Sequence, residues 1–154
     1  MSKEIATWPI GTVRGGRAEA SDAAWDRPAR IELDPAQFGP EAIAGLGEFS
    51  HVEVLFHFHE VAPATIETGA RHPRGNKAWP KIGIFAQRGK NRPNRIGATI
   101  CTLVSVDGLT LTVRGLDAID GTPVLDIKPV MKGFLPRGEV REPEWAGELM
   151  KGYW

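Results

Sequence analysis

Three short stretches of the sequence carry side chains able to do chemistry. The first, "HVEVLFHFHE" at residues 51–60, sets an apolar series against a polar one. On an extended strand, successive side chains point to opposite faces. Val52, Val54, Phe56 and Phe58 then share one face, and His51, Glu53, His57 and His59 the other, with Leu55 between them. Two imidazoles two residues apart on one strand face, His57 and His59, reach a single metal ion. A metal centre needs further ligands, and Glu53, Glu60 and His72 are the candidates. The same face serves equally as a wet strand edge or as the wall of a pocket for another ligand.

The second stretch, "GIFAQRGKNRPNRIGATI" at 83–100, reads as strand, basic loop, strand. Pro93 fixes its φ and Asn94 tolerates the left-handed region, so "RPNR" makes a tight turn. Arg88, Arg92 and Arg95 around that turn suit an anionic ligand, because guanidinium forks take carboxylate or phosphate oxygens in pairs. The third, "GLDAIDGTPVLDIKPV" at 115–130, places Asp117 and Asp120 before Gly121-Thr122-Pro123. Either Asp120 and the turn's backbone face a ligand, accepting ribose hydroxyls or lying near a cation, or the segment is an Asx-type turn between strands.

Short apolar runs rich in Val, Ile, Thr and Phe, bounded by turn residues, must position these groups. They predict strands near 5–13, 29–33, 51–60, 81–87, 96–106, 109–115 and 123–130. Asp107-Gly108 predicts a tight type I′ hairpin turn. Two helices are expected, one over "PEAIAGLGEF" and one in the closing "EPEWAGELMKGYW", a helical tail at about 141–154. The fold class is all-β: a small closed or strongly curved antiparallel barrel, one domain over 1–154, with one or two short helices. Neither G-x-G-x-x-G after a strand nor G-x-x-x-x-G-K-[ST] is present, which argues against a Rossmann or P-loop nucleotide site.

Formal net charge is zero, which argues against a generic polyanion binder. The charge is uneven, however. No Asp or Glu occurs from Thr68 to Val106, a stretch holding Arg71, Arg74, Lys77, Lys81, Arg88, Lys90, Arg92 and Arg95. That pattern suits one anionic partner at one place, or a solvated loop balanced by acids nearby in space. The single cysteine, Cys101, lies in an apolar run and is expected to be buried and inert. No apolar run nears the roughly 20 residues of a membrane span, and no signal peptide is expected in "MSKEIATWPIG", which has no long apolar stretch. A cytoplasmic setting fits.

Together, "WPIGTV", "RIELDP", "FSHVEVLFHFHE", "KIGIFAQRGKNRPNRIG" and "LDAIDGTPVLDIKPV" resemble, in order and spacing, the TrmO/TsaA-like family over most of residues 8–130. The resemblance implies an S-adenosylmethionine-dependent methyltransferase on a small barrel. The implied acceptor is N6 of threonylcarbamoyl-modified adenosine beside the tRNA anticodon. It also implies a homodimer with the cofactor near the subunit interface, and neither a metal nor a membrane. Family cofactor contacts fall here at His59, Glu60, Arg88, Ala98, Ala118, Ile119, Asp120 and Gly121. His59 and Asp120 are the catalytic candidates. Arg71, Arg74, Lys77, Lys90, Arg92 and Arg95 are then offered to RNA phosphates. Three departures from the family pattern stand out: Arg95 replaces a proline, Val130 a tyrosine, and Gln87-Arg88-Gly89 a Thr-Arg-Ser. Two other readings remain: a barrel that binds the cofactor but acts on or senses something smaller, and a metal enzyme using His57 and His59.

Overall fold

A computed structural model of the chain describes residues 3–154. Eight strands form: β1 (Gly11–Arg14), β2 (Pro28–Leu33), β3 (His51–His57), β4 (Ala70–Arg71), β5 (Ile82–Gly83), β6 (Ile96–Asp107), β7 (Thr110–Arg114) and β8 (Pro123–Pro129). Six of them close a barrel in the order β1-β2-β7-β6-β3-β8, with Gly11 of β1 opposite Val124 of β8. Every pair is antiparallel. Alternation decides the wall: Val13, Ile31, Val52, Val54, Phe56, Leu111, Val113 and Val124 all point inward and are fully buried. Closure leaves no long unpaired edge. The remaining strands, β4 and β5, form a separate two-stranded ladder.

The expected barrel is therefore present, and its strand limits differ from expectation where tertiary contacts intervene. The first strand begins at Gly11, not near residue 5; Pro9 has no N–H to give a ladder. A Cβ on Gly11 would lie 2.5 Å from the Glu32 carbonyl oxygen, so β1 and β2 meet backbone to backbone there. The strand expected over 81–87 shrinks to β5, and residues 84–86 make a 3₁₀ turn. Gln87 Nε2 donates to the carbonyls of Arg71 and Ile82, each at 3.0 Å, and so ties the turn back to both short strands. The strand expected over 51–60 stops at His57, because the chain turns between Phe58 and Val61. His59 and Glu60 thus sit on a turn rather than a strand face.

The helix expected over 40–49 is two 3₁₀ turns separated by Gly45 at φ 85°. In the tail, α1 (Glu144–Leu149) forms, and Gly152 at φ 70° lies just beyond it. The hairpin turn is centred on Gly108-Leu109, one residue later than expected. Only Gly108 has positive φ, at the first central position, which is the type II′ pattern rather than I′.

At Gly97 the side chain is excluded by packing. A Cβ there would lie 2.5 Å from Phe56 ring carbons and 2.9 Å from Phe58. Phe56 and Phe58 meet edge to face at 5.3 Å, so neither ring has room to retreat. Gly97→Ala should therefore cost about 1–3 kcal/mol of stability, the usual penalty of overpacking. Urea unfolding of the two proteins checks it.

Candidate functional site

The end of the barrel where β3 finishes, β6 begins and β8 begins gathers most of the singled-out residues. The turn after β3 is braced from the 93–95 turn just before β6: Phe58 N–H donates to the Arg95 carbonyl at 2.8 Å, and Arg95 Nη1 donates to the Val61 carbonyl at 2.8 Å. His59 lies on that turn, and a Cβ placed on Gly121 would sit 3.9 Å from its Nε2. From the other side, Arg88 Nη2 donates to the Ala98 carbonyl at 2.5 Å. Ala98 itself lies opposite Leu55 of β3. The next residue, Thr99, donates its hydroxyl to the Asp117 carboxylate, which joins β6 to the 115–121 loop. His59 thus lies by Gly121, and Arg88 by Ala98, at this end of the barrel.

The 118–121 loop is held firmly. Asp120 N–H donates to the Arg17 carbonyl at 2.6 Å, and Asp120 Oδ1 accepts from Gly15 N–H at 2.9 Å. Gly121 N–H donates to the Val13 carbonyl at 2.8 Å, while Gly121 takes φ 85°, a conformation that suits glycine. Thr122 Oγ1 donates to the Ile119 carbonyl at 2.7 Å. Ala118 and Ile119 are buried, backbone and side chain together. Glu60, Arg88 and Asp120 are exposed. The site therefore presents two carboxylates, one guanidinium and a pinned backbone loop on an open face.

Sequence reasoning did not connect Asp117 with Thr99 and Tyr153. Tyr153 donates its hydroxyl to the other carboxylate oxygen of Asp117. Burial, and then the Asp117 charge, holds the Tyr153 phenol above its ordinary value, so it stays a donor. The tail reaches this point by adding Gly152 and Tyr153 carbonyls to the N–H groups of Ala24 and Trp25, at 2.9 and 2.8 Å. A signal existed in the single tyrosine of the chain. Cys101, beside this cluster, is buried, and burial and then Asp117 push its thiol up to about 12.

The model of the tRNA-methyltransferase O N-terminal domain matches residues 17–134. The chain belongs to this family. It is similar to a probable S-adenosyl-L-methionine-binding protein of Pyrococcus abyssi, at 36% identity over 93% of this chain and 75% of that protein. It is also 41% identical to the human tRNA (adenine(37)-N6)-methyltransferase over 66% of this chain. The chain spans about a quarter of that relative, 23% of its length. A crystal structure of TrmO from Pseudomonas aeruginosa superposes with a TM-score of 0.75 at 29% identity, covering 94% of this chain and 63% of that one. The closed antiparallel barrel is thus a TrmO-type barrel.

Departures from the TrmO pattern have local consequences. Arg95 takes φ 52°, which proline cannot adopt, so this chain shapes the turn with a different backbone and uses the new side chain to hold Val61. Gln87 provides the β4–β5 staple described above. Val130 lines a groove of about 530 Å³ with Phe49, His51, Met131 and Leu135, at the far end of β3 and β8 from His59.

Three of the six residues offered to RNA have protein partners. Arg74 pairs with Asp22 at 3.5 Å, Arg92 Nη1 donates to the Gln87 carbonyl at 2.7 Å, and Arg95 holds Val61. Lys77 and Lys90 are exposed, and Arg71 is half-buried. Among the described residues no group of three or more His, Cys, Asp or Glu side chains could hold a metal ion, so His57 and His59 find no third ligand there. No described helix is long and apolar enough to cross a membrane.

Burial, with Arg95 and His59 nearby, lowers His57 from its ordinary 6.5. The unfolded chain then binds that proton more readily than the folded one, so stability falls as pH drops below about 6.5 toward the folded value. Urea midpoints compared at about pH 7.5 and about pH 5.5 should show a smaller acid loss in His57→Gln than in the unchanged protein. Equal losses would remove His57 from the account.

Proposed function

We propose that this chain is an S-adenosylmethionine-dependent methyltransferase acting on N6 of threonylcarbamoyl-modified adenosine beside the tRNA anticodon. The observation that supports this reading is that the His59 turn lies against Gly121 and Arg88 bonds Ala98 at the same barrel end. The donor set fits the cofactor. Arg88 is anchored by one N–H to Ala98, and its other donors take no acceptor among the described residues. A guanidinium so placed suits the methionyl carboxylate. Glu60 and Asp120 supply negative charge for a sulfonium cation. The 118–121 loop, whose Asp120 and Gly121 N–H groups are bonded within the protein, offers a fixed surface to the nucleoside part.

When bound, the cofactor supplies a methyl group on a good leaving group. The chain's work is then mostly orientation, which can account for roughly 7–11 kcal/mol of barrier lowering. His59 is the group proposed to accept the proton that the acceptor nitrogen loses. Exposed Lys77 and Lys90 leave cationic groups for an RNA partner.

The site is open, and a second copy of the chain is the proposed means of covering it. Ile96, Ile100 and Val104 on the outer face of β6 are 42%, 49% and 57% exposed, an apolar stripe beginning beside Ala98. Such a stripe supports a homodimer. The barrel and its tail are read as one domain in a cytoplasmic protein.

The test is to incubate the protein with cofactor and tRNA bearing the threonylcarbamoyl group, then digest and weigh the nucleosides. A gain of one methyl on the modified adenosine is expected. Unchanged nucleosides, with cofactor bound, would replace the RNA assignment by the small-molecule reading.

A further inference from the structure

We propose that the Arg71 guanidinium, held over Gly89 beside Arg92, is the binding site for one phosphate group of the nucleic-acid substrate, a reading that rests on the function above. Arg71 lies in β4, where its carbonyl is fixed by Gln87 and its backbone pairs with Ile82. Its Nε is buried and has no hydrogen-bond partner. Among the described residues no carboxylate pairs with Arg71, Arg88 or Arg92; the ion pairs involve Arg14, Arg30, Arg74, Arg114 and Lys128 instead. A half-buried cation with an orphaned donor is unfavourable until an acceptor arrives.

Gly89 is what lets the guanidinium sit there. A Cβ on Gly89 would lie 2.6 Å from Arg71 Nη2. Arg92 reaches the same residue, with Nη1 3.5 Å from the Gly89 carbonyl oxygen as well as bonded to Gln87. Two guanidinium groups from different parts of the chain therefore approach the same glycine, Arg71 beside its Cα and Arg92 at its carbonyl, with exposed Lys90 next to it. Several cationic donors around one point suit a phosphate, whose oxygens accept in several directions. Gly89 follows Arg88, the residue assigned to the cofactor carboxylate.

Gly89→Ala is the clean probe. Gly89 is not among the glycines with positive φ, so alanine suits its backbone, and the new Cβ displaces only the flexible end of Arg71. Arg71→Gln provides a second variant, and thermal melts confirm that both fold. Arginine Nε–H resonances are followed while inorganic phosphate replaces chloride at constant ionic strength. The Arg71 signal should move saturably in the unchanged protein and not in Gly89→Ala. No movement in the unchanged protein would overturn the site.

In the second arm, an anticodon stem-loop RNA is bound at several salt concentrations. Loss of one phosphate contact should reduce the slope of log affinity against log salt by roughly 0.7–0.9 in Gly89→Ala and Arg71→Gln, with cofactor affinity unchanged. An unaltered slope would overturn the nucleic-acid assignment while leaving the proposed function standing. Phosphate binding without any RNA binding by the unchanged protein would instead contradict the function and the substrate named here, leaving only a site for free phosphate.

Discussion

Arg88→Ala is expected to weaken S-adenosylmethionine binding by about 10–150-fold without unfolding the protein, since a hydrogen-bonded charged group contributes about 1.5–3 kcal/mol. The side chain is exposed, and among the described residues its only protein partner is the Ala98 carbonyl. Removing it leaves that carbonyl near solvent at the barrel end and creates no cavity in the core. The loss should therefore fall on the ligand rather than on the fold. Arg88→Lys keeps the charge but not the planar fork, and should recover only part of the affinity. Calorimetric titration with the cofactor, beside a thermal melt, separates the two effects. Affinity within about twofold of the unchanged protein would show that Arg88 does not hold the cofactor.

The largest stability effect is expected at Asp117. Its carboxylate accepts from Thr99 on β6 and from Tyr153 in the tail, so Asp117→Ala strands two hydroxyls at once. Each buried donor left without an acceptor costs about 1–3 kcal/mol, which predicts a loss of roughly 2–6 kcal/mol. Tyr153→Phe removes a donor along with its need and should cost about 1 kcal/mol. Because Asp117 adjoins the 118–121 loop, Asp117→Ala should also weaken cofactor binding. Urea unfolding tests the first statement and calorimetry the second. A change below about 0.5 kcal/mol, the size of an ordinary surface substitution, would show that the cluster does not hold the loop.

These two residues differ in how far the sequence revealed them. Arg88 stood out because it follows a strand signal and lies within a family motif. Asp117 was visible as a turn residue, but Tyr153 lies 36 positions away and nothing local pairs them. The same division runs through the fold. Buried faces were legible because a two-residue period states which side chains go inward, as Val52, Val54 and Phe56 do. The end of β3 was not legible. Phe58 and His59 continue the alternation in sequence, yet Arg95 draws the chain into a turn by bonds at both Phe58 and Val61. The 81–87 stretch failed as a strand for a similar reason, since Gln87 spends its side chain on Arg71 and Ile82. Basic composition likewise marked the 68–106 region without showing that Arg74, Arg92 and Arg95 are already engaged within the protein.

A crystal structure grown with saturating S-adenosylmethionine tests the central claim most directly. The account predicts the methionyl carboxylate on Arg88 and the adenosine against the 118–121 backbone, with His59 and Glu60 within contact of the ligand. A cofactor lodged instead in the groove between Phe49 and Val130, or binding that leaves Arg88 untouched, would contradict it.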